Sequence, residues 1–253
     1  MSLRIVVGKS RADKSEFILN EMKQALMSEP IGKPIFYIVP EQMTFQLENE
    51  LLLDEEISGS MRAEVVSFSR LAFRVLQETG GSTKQFITST GMQMILRKII
   101  NEKTDPFLMF QKAVEKTGFI EQLEGIMTEF KRHRITPDLL KEHIDYAQDQ
   151  TGLHHKLTDL HYIYAKLEEQ MKGKYIDGED RLRLLGEKVS QTALFRDAHI
   201  YIDGFYRFTP NELHIIEQLL QVSECVSIAL TTDEEQLLLE QSELDLFFQT
   251  TET

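Results

Sequence analysis

The feature that most constrains this chain is an alternation of short apolar runs with stretches of helical periodicity. Leu3–Val7 ends at Gly8 and is followed by Phe17, Ile18, Met22, Ala25 and Leu26 near helical spacing. Ile35–Val39 stops at Pro40 and gives way to Phe45, Leu47, Leu51 and Leu52. Val65, Val66 and Phe68 form a third run, ahead of Leu71, Ala72, Val75, Leu76 and a Gly80-Gly81 stop. His199–Asp203 and Cys225–Leu230 resume the pattern, with a helix predicted from about Pro210 to Gln221 between them. Strands separated by helix-length connections indicate βαβ units on a parallel sheet. Residues 1–84 and 191–233 are therefore assigned to one α/β domain.

Residues 85–190 follow a different rhythm. Met92, Ile95, Leu96 and Ile99, then Phe119, Leu123, Ile126, Met127 and Phe130, then Leu157, Leu160, Ile163, Tyr164 and Leu167 recur at helical intervals. Polar, turn-rich breaks fall near Lys103–Pro106, Thr136–Pro137 and Gln148–Gly152. This reads as an α-helical insertion. Residues 234–253 form an acidic tail with Leu237-Leu238-Leu239 and Leu246-Phe247-Phe248. Apolar residues of that kind need a surface to cover, so the tail reads either as frayed or, preferably, as leading into further domains.

Composition sets the remaining bounds. A chain of 253 residues, 42% hydrophobic and 27% charged, can bury a core and is not a disordered polymer. Cys225 is the single cysteine, which excludes an intrachain disulfide and a Cys-rich metal site and fits a reducing compartment. No apolar stretch approaches the ~18 residues of a membrane span, and no secretory leader is visible, so a soluble cytoplasmic protein without a membrane is expected. The net charge is −13, but eight acids and no Lys or Arg lie in 221–253, and removing those eight leaves −5 for residues 1–220. The acidity argues against non-specific coating of nucleic acid while allowing a local basic groove.

Gly8-Lys9-Ser10-Arg11-Ala12-Asp13-Lys14-Ser15 closes the first run and opens the first helix. It follows the Walker A phosphate-loop pattern except that Asp13 stands where the second glycine belongs. Lys14 could reach phosphate oxygens, and Ser15 could hold Mg²⁺ of a Mg-ATP. Asp13 adds a side chain where backbone approaches phosphate, and a like charge that at ~4 Å costs on the order of 4 kcal/mol, roughly a thousandfold in affinity. The alternative is a plain strand-to-helix turn with Ser15 or Asp13 as N-cap. Ile200–Phe205 sits where a Walker B strand belongs: Asp203 could serve the metal, whereas Gly204 has no side chain to act as base. Asp203-Gly204 can equally be a simple turn. Together Asp13 and Gly204 favour a poor or inactive ATPase.

Three longer strings carry a family resemblance: Val39-Pro40-Glu41-Gln42-Met43-Thr44-Phe45, Arg62 to Ala72 (RAEVVSFSRLA) and Tyr201 to Pro210 (YIDGFYRFTP). They are similar to the AddB family, the B subunits of bacterial AddAB ATP-dependent helicase–nucleases. Thr88-Ser89-Thr90-Gly91 and Thr128-Glu129-Phe130-Lys131-Arg132 extend the likeness along essentially the whole chain. The resemblance implies a RecA-like P-loop parallel sheet of the superfamily 1 helicase type (1A-like), with the helical insertion as its 1B-like part. It also implies lost motor function, contact with single-stranded DNA and the Chi sequence, and a heterodimer with AddA in double-strand-break end processing. The family's nuclease domain, with its four-cysteine iron–sulfur cluster, lies far downstream; Cys225 alone cannot hold a cluster.

By the same resemblance the DNA contacts are Gln42 and Thr44 after the second strand, Phe68, Arg70 and Phe73 after the third, and Phe208 after the Walker B-like strand. Phenylalanines can stack on bases, and Arg70 can bond a phosphate or a guanine edge. Each also has a plainer reading: Phe73 suits a core position better than a stacking platform, and Arg70 and Arg74 could line a solvated helix face. The basic run Lys131–Arg134 ends a predicted helix, where cations are stabilising without any ligand. His154, His155 and His161 lack a supported metal-site pattern and read as surface residues. A functioning P-loop NTPase or kinase and an inert AddA-docking scaffold remain as alternative functions.

Overall fold

The computed structural model describes residues 2–9, 12–53, 62–80, 84–147 and 151–231. In chain order the elements are β1 (Ser2–Gly8), α1 (Lys14–Ser28), β2 (Ile35–Ile38), α2 (Glu41–Leu52), β3 (Ala63–Val66) and α3 (Phe68–Thr79). There follow β4 (Gln85–Phe86), α4 (Ser89–Glu102), α5 (Phe119–Arg132), α6 (Pro137–Tyr146), α7 (Thr151–Met171) and β5 (Tyr175–Ile176). The described part closes with α8 (Gly178–Lys188), β6 (His199–Ile202), α9 (Pro210–Val222) and β7 (Cys225–Thr231). The described residues form two compact units, one from within 2–80 and 182–231 and one from within 84–181. The tail of 234–253 and its apolar clusters lie outside the described residues.

The first unit is the α/β one. Its five strands run in the order β1-β7-β6-β2-β3, and every neighbouring pair is parallel. The α/β expectation with a parallel sheet therefore holds. β2 is buried at all four positions, the uninterrupted apolar run required of a strand covered on both faces. Alternation along it divides the core: Phe36 and Ile38 join Val66, Ile200, Ile202, α3 and α9 on one face. Ile35, Tyr37 and Val39 meet Ile18, Leu19, Met22, Leu47 and Leu51 of α1 and α2 on the other. Local chemistry fixes the helix starts: Ser67 caps α3 by accepting Arg70 N–H, and Thr209 and Glu212 form a reciprocal capping box ahead of Pro210. Phe68, read from sequence as the end of an apolar strand, is instead the first residue of α3, because the Ser67 cap turns the chain there.

The second unit is helical with a two-stranded parallel pair, β4–β5. Its core joins Leu96 and Ile99 of α4 with Leu123 and Met127 of α5 and Ile163 and Leu167 of α7. The buried Asp159 carboxylate accepts the backbone N–H groups of Leu108, Met109 and Phe110 at 3.0, 2.7 and 3.0 Å, which ties the connection after α4 to α7. Lys131 is also buried; its Nζ lies 2.7 Å from Asp177, 2.9 Å from Asp180 and 3.0 Å from Glu168. Arg132 pairs with Glu129 and Glu179. Most of the basic run is thus spent inside the unit. Among the described residues no helix is long and apolar enough to cross a membrane, and no cluster of His, Cys, Asp or Glu is arranged to hold a metal.

Burial opposes the Lys131 charge, yet Asp177, Asp180 and Glu168 outweigh it and raise the ammonium's pKa. Its contribution is complete below the ordinary lysine range and is lost as pH climbs through the raised value. Lys131→Met leaves buried carboxylates without their cation and should cost about 3–5 kcal/mol. Urea unfolding should show that loss, with part recovered when Asp177→Asn and Asp180→Asn are added.

Candidate functional site

Because the strands are parallel, the loops leaving β1, β2, β3 and β6 emerge at one edge of the sheet, the carboxyl edge where α/β domains bind ligands. β2 and β6 pair in register from Ile35↔His199 to Ile38↔Ile202. Residues 39–42 and 203–205 therefore leave the sheet side by side. Gly204 has φ +80°, and a Cβ there would stand 2.6 Å from Met43 Sδ and 3.1 Å from Pro40 Cδ. A side chain at 204 would need positive φ and a shift of the Met43 side chain.

At the phosphate-loop position, Asp13 adopts φ 42°, ψ 33°, the left-handed conformation that the pattern's glycine would supply. Aspartate is one of the few residues that tolerate it. Asp13 occupies the N-cap place of α1, but its side chain makes no capping hydrogen bond. The Lys14 ammonium donates to the carbonyls of Lys9 at 2.8 Å and Gly8 at 3.2 Å. An open pocket of about 460 Å³ lies beside the first turns of α1 and brings Asp13, Glu16 and Glu50 together with Lys14, Ser15 and Lys23. Ser10 and Arg11 fall outside the described residues.

Asp203 is buried, and both its carboxylate oxygens are engaged. Oδ1 accepts the Gly204 N–H at 2.7 Å, and Oδ2 accepts the Tyr37 hydroxyl at 2.9 Å. Ser15, the second residue of α1, lies close to the Tyr37 oxygen. Burial, and then the adjacent Asp203 carboxylate, push the Tyr37 phenol far above the ordinary tyrosine range, so it stays a neutral donor. Of the two groups that would carry the metal of a Mg-ATP, Ser15 and Asp203, the acid is thus already taken by Tyr37. As arranged, the set does not fit a metal ion. Sequence reading missed Tyr37 because, within Ile35–Val39, it looks like one more core residue.

The residues singled out for DNA divide by exposure. Gln42 and Arg70 are exposed, and no acid among the described residues pairs with the Arg70 guanidinium. Phe73 is 52% exposed, which corrects the core reading: Leu71, Ala72, Val75 and Leu76 fill the inner face of α3, and Phe73 lies off it. Phe208 is partly buried against Phe205. Thr44 is buried, with its hydroxyl donated to the Glu41 carbonyl at 2.8 Å. Phe68 is 3% exposed, packed on Phe205 with ring centroids 5.3 Å apart, and offers no free face for stacking. Phe45 and Tyr206 are exposed aromatics that the sequence reading did not select. The available signal was periodicity, since Thr44, Leu47 and Leu51 define the buried face of α2 and exclude Phe45. Arg74 pairs with Glu64.

A family model described as "ADDB, N-terminal" matches residues 5–253. The chain belongs to the AddB family. It is 49% identical over 260 residues to the B subunit of the ATP-dependent helicase/deoxyribonuclease of Oceanobacillus iheyensis, covering 100% of this chain and 22% of that protein. The corresponding protein of Bacillus pumilus is 43% identical, again across 100% of this chain and 22% of the relative. That of Bacillus licheniformis is 44% identical over 89% of this chain and 20% of the relative. The chain thus spans about a fifth of the length of these AddB relatives.

The left-handed Asp13 yields a stability prediction for this AddB-family loop. Asp13→Val, β-branched at positive φ, should lose about 1–2 kcal/mol, whereas Asp13→Gly should be close to neutral, as relieved strain offsets added unfolded-chain entropy. Urea midpoints of the two variants check the ordering.

Proposed function

We propose that this chain is the N-terminal, motor-inactive helicase-like portion of an AddB-type subunit, working in DNA double-strand-break end resection and recombinational repair. In this reading the carboxyl edge of the sheet contacts single-stranded DNA, and within the complete subunit it takes part in contacting the Chi sequence. The observation that carries it is the grouping of solvent-facing Gln42, Arg70 and Phe73 on the helices that leave two adjacent strands. An exposed aromatic face, a cation without an acid partner among the described residues and a neutral amide supply the stacking, phosphate contact and hydrogen bonding that a single strand needs. Phe208 adds a partly buried aromatic at the neighbouring strand end, while Thr44 and Phe68 act from beneath, holding α2 and α3.

Loss of the motor is supported by Asp13 in the phosphate loop and by Gly204, which has no side chain to act as a base and a positive φ that disfavours one. The relatives' names describe a subunit of a helicase/deoxyribonuclease. By that likeness the partner is an AddA-type subunit that supplies the motor, and nuclease chemistry belongs to parts of the relatives not spanned by this chain. With one cysteine in 253 residues, this chain holds no four-cysteine iron–sulfur cluster.

The test is fluorescence anisotropy with labelled single-stranded DNA across a salt series. Phe73→Ala should weaken binding by about 1–3 kcal/mol, and Arg70→Ala should reduce the salt slope by about one unit. Tyr146→Ala, at an exposed aromatic of the helical unit, should change neither. Binding unaltered in both Phe73→Ala and Arg70→Ala would remove this edge from the DNA path.

A further inference from the structure

In a working P-loop NTPase the hydroxyl of the loop Ser/Thr and the acid ending the Walker B strand are joined by Mg²⁺. In this chain the acid is already engaged by a phenol: Tyr37 donates to Asp203 Oδ2 at 2.9 Å, with Ser15 close to the same phenolic oxygen. We propose that the Tyr37 hydroxyl stands in for the metal at Asp203, a neutral donor that occupies the carboxylate and closes that position to Mg²⁺. The inference rests on descent from a P-loop NTPase but not on DNA contact.

Placement makes this contact rigid. Tyr37 is completely buried on β2, an inner strand covered on both faces, so its ring has no neighbouring space into which to swing. Asp203 is held equally firmly, because its backbone N–H donates to the Ile38 carbonyl at 3.1 Å and Gly204 N–H occupies its second carboxylate oxygen. A magnesium ion requires near-octahedral oxygen ligands at about 2.0–2.1 Å and usually retains several waters. It cannot share the gap between Ser15 and Asp203 with a phenolic oxygen fixed there. Removing only that oxygen would leave a buried carboxylate without its hydroxyl partner, near Ser15, which is an arrangement that favours a cation.

The experiment compares three purified forms of the 253-residue chain by titration with a fluorescent ADP analogue, in excess Mg²⁺ and in EDTA. Asp13→Gly removes the charge obstacle and retains Tyr37; its affinity should be the same in both buffers. Asp13→Gly with Tyr37→Phe, which conserves the ring, should bind about tenfold or more tightly in Mg²⁺ than in EDTA. Adding Asp203→Asn should abolish that difference. Mg²⁺-strengthened binding while Tyr37 is intact overturns the proposal. So does a folded Tyr37→Phe form with no Mg²⁺ dependence, whether it binds nucleotide equally in both buffers or not at all. If circular dichroism shows that the Phe form does not fold, the Asp13→Gly comparison decides alone: equal affinities support the proposal and unequal ones overturn it. DNA anisotropy does not enter, so failure here is separate from failure of the DNA reading.

Discussion

The parallel pairing of β2 with β6 brings together segments more than 160 residues apart in sequence, and the site depends on it. The register sets Tyr37 beside Tyr201 and lets Val39–Pro40 and Asp203–Gly204 leave the sheet together. A shift by one residue would exchange the two faces of β2 and turn Tyr37 away from α1. Burial of β2 on both sides makes such a shift costly, since Phe36 and Ile38 fill one core while Ile35, Tyr37 and Val39 fill the other. The same pairing sets Gly204 beside Pro40 and Met43, whose side chains lie where a Cβ there would point.

Beneath α1 the sheet carries two polar chains in an otherwise apolar layer. One runs from Arg4 through Glu21 to the Tyr201 hydroxyl, and the other from Tyr37 through Asp203 to the Gly204 N–H. Arg4, and then Tyr201, hold the Glu21 carboxyl below the usual glutamate range against the opposing effect of burial. Stability from that pair is therefore present above the unfolded glutamate's pKa and fades as pH falls through the folded value. Its sign is opposite to that of Lys131 in the helical unit. Both chains satisfy polar groups internally, so α1 is tied to the sheet by hydrogen bonds as well as by Ile18, Leu19 and Met22.

The fold was legible because it rests on periodicity. β2 coincides with an apolar run, α9 with its Thr209-Pro210 start, and α3 with a stop at Gly80, whose φ is +75°. The family was legible from strings such as YIDGFYRFTP, and the matching family model agrees. Side-chain exposure was less legible. Phe68 and Phe73 are alike in composition and neighbourhood, yet the Ser67 cap starts a helix whose turn buries the first and exposes the second. Lys131 was hidden in a basic run because the acids that neutralise it, Glu168, Asp177 and Asp180, lie some 40 to 50 positions further on. Tyr37 could not be found from its own segment at all. Its partner, Asp203, stands at the end of β6, and only the closed sheet brings that carboxylate to its hydroxyl.

This geometry also explains how one edge of a sheet can lose one chemistry and keep another. Phosphate and metal chemistry would sit on the exits of β1 and β6, where Asp13, Gly204 and the Tyr37 contact with Asp203 now stand. The solvent-facing Gln42, Arg70 and Phe73 sit on the exits of β2 and β3. The two regions share a scaffold but few side chains, so substitutions in the first leave the surface of the second unchanged. Coupling between them would run through Ser67, which caps α3 and donates to Glu41 at the start of α2, and through Met43, which lies against Gly204. In a motor, that connection would transmit nucleotide state to the strand exits. Under the proposed function, the Tyr37 contact with Asp203 holds the β6 end in one arrangement, and the same contacts act as a static brace. A rigid edge loses less conformational freedom on binding a strand than a mobile one, which favours a surface that holds DNA over one that moves it.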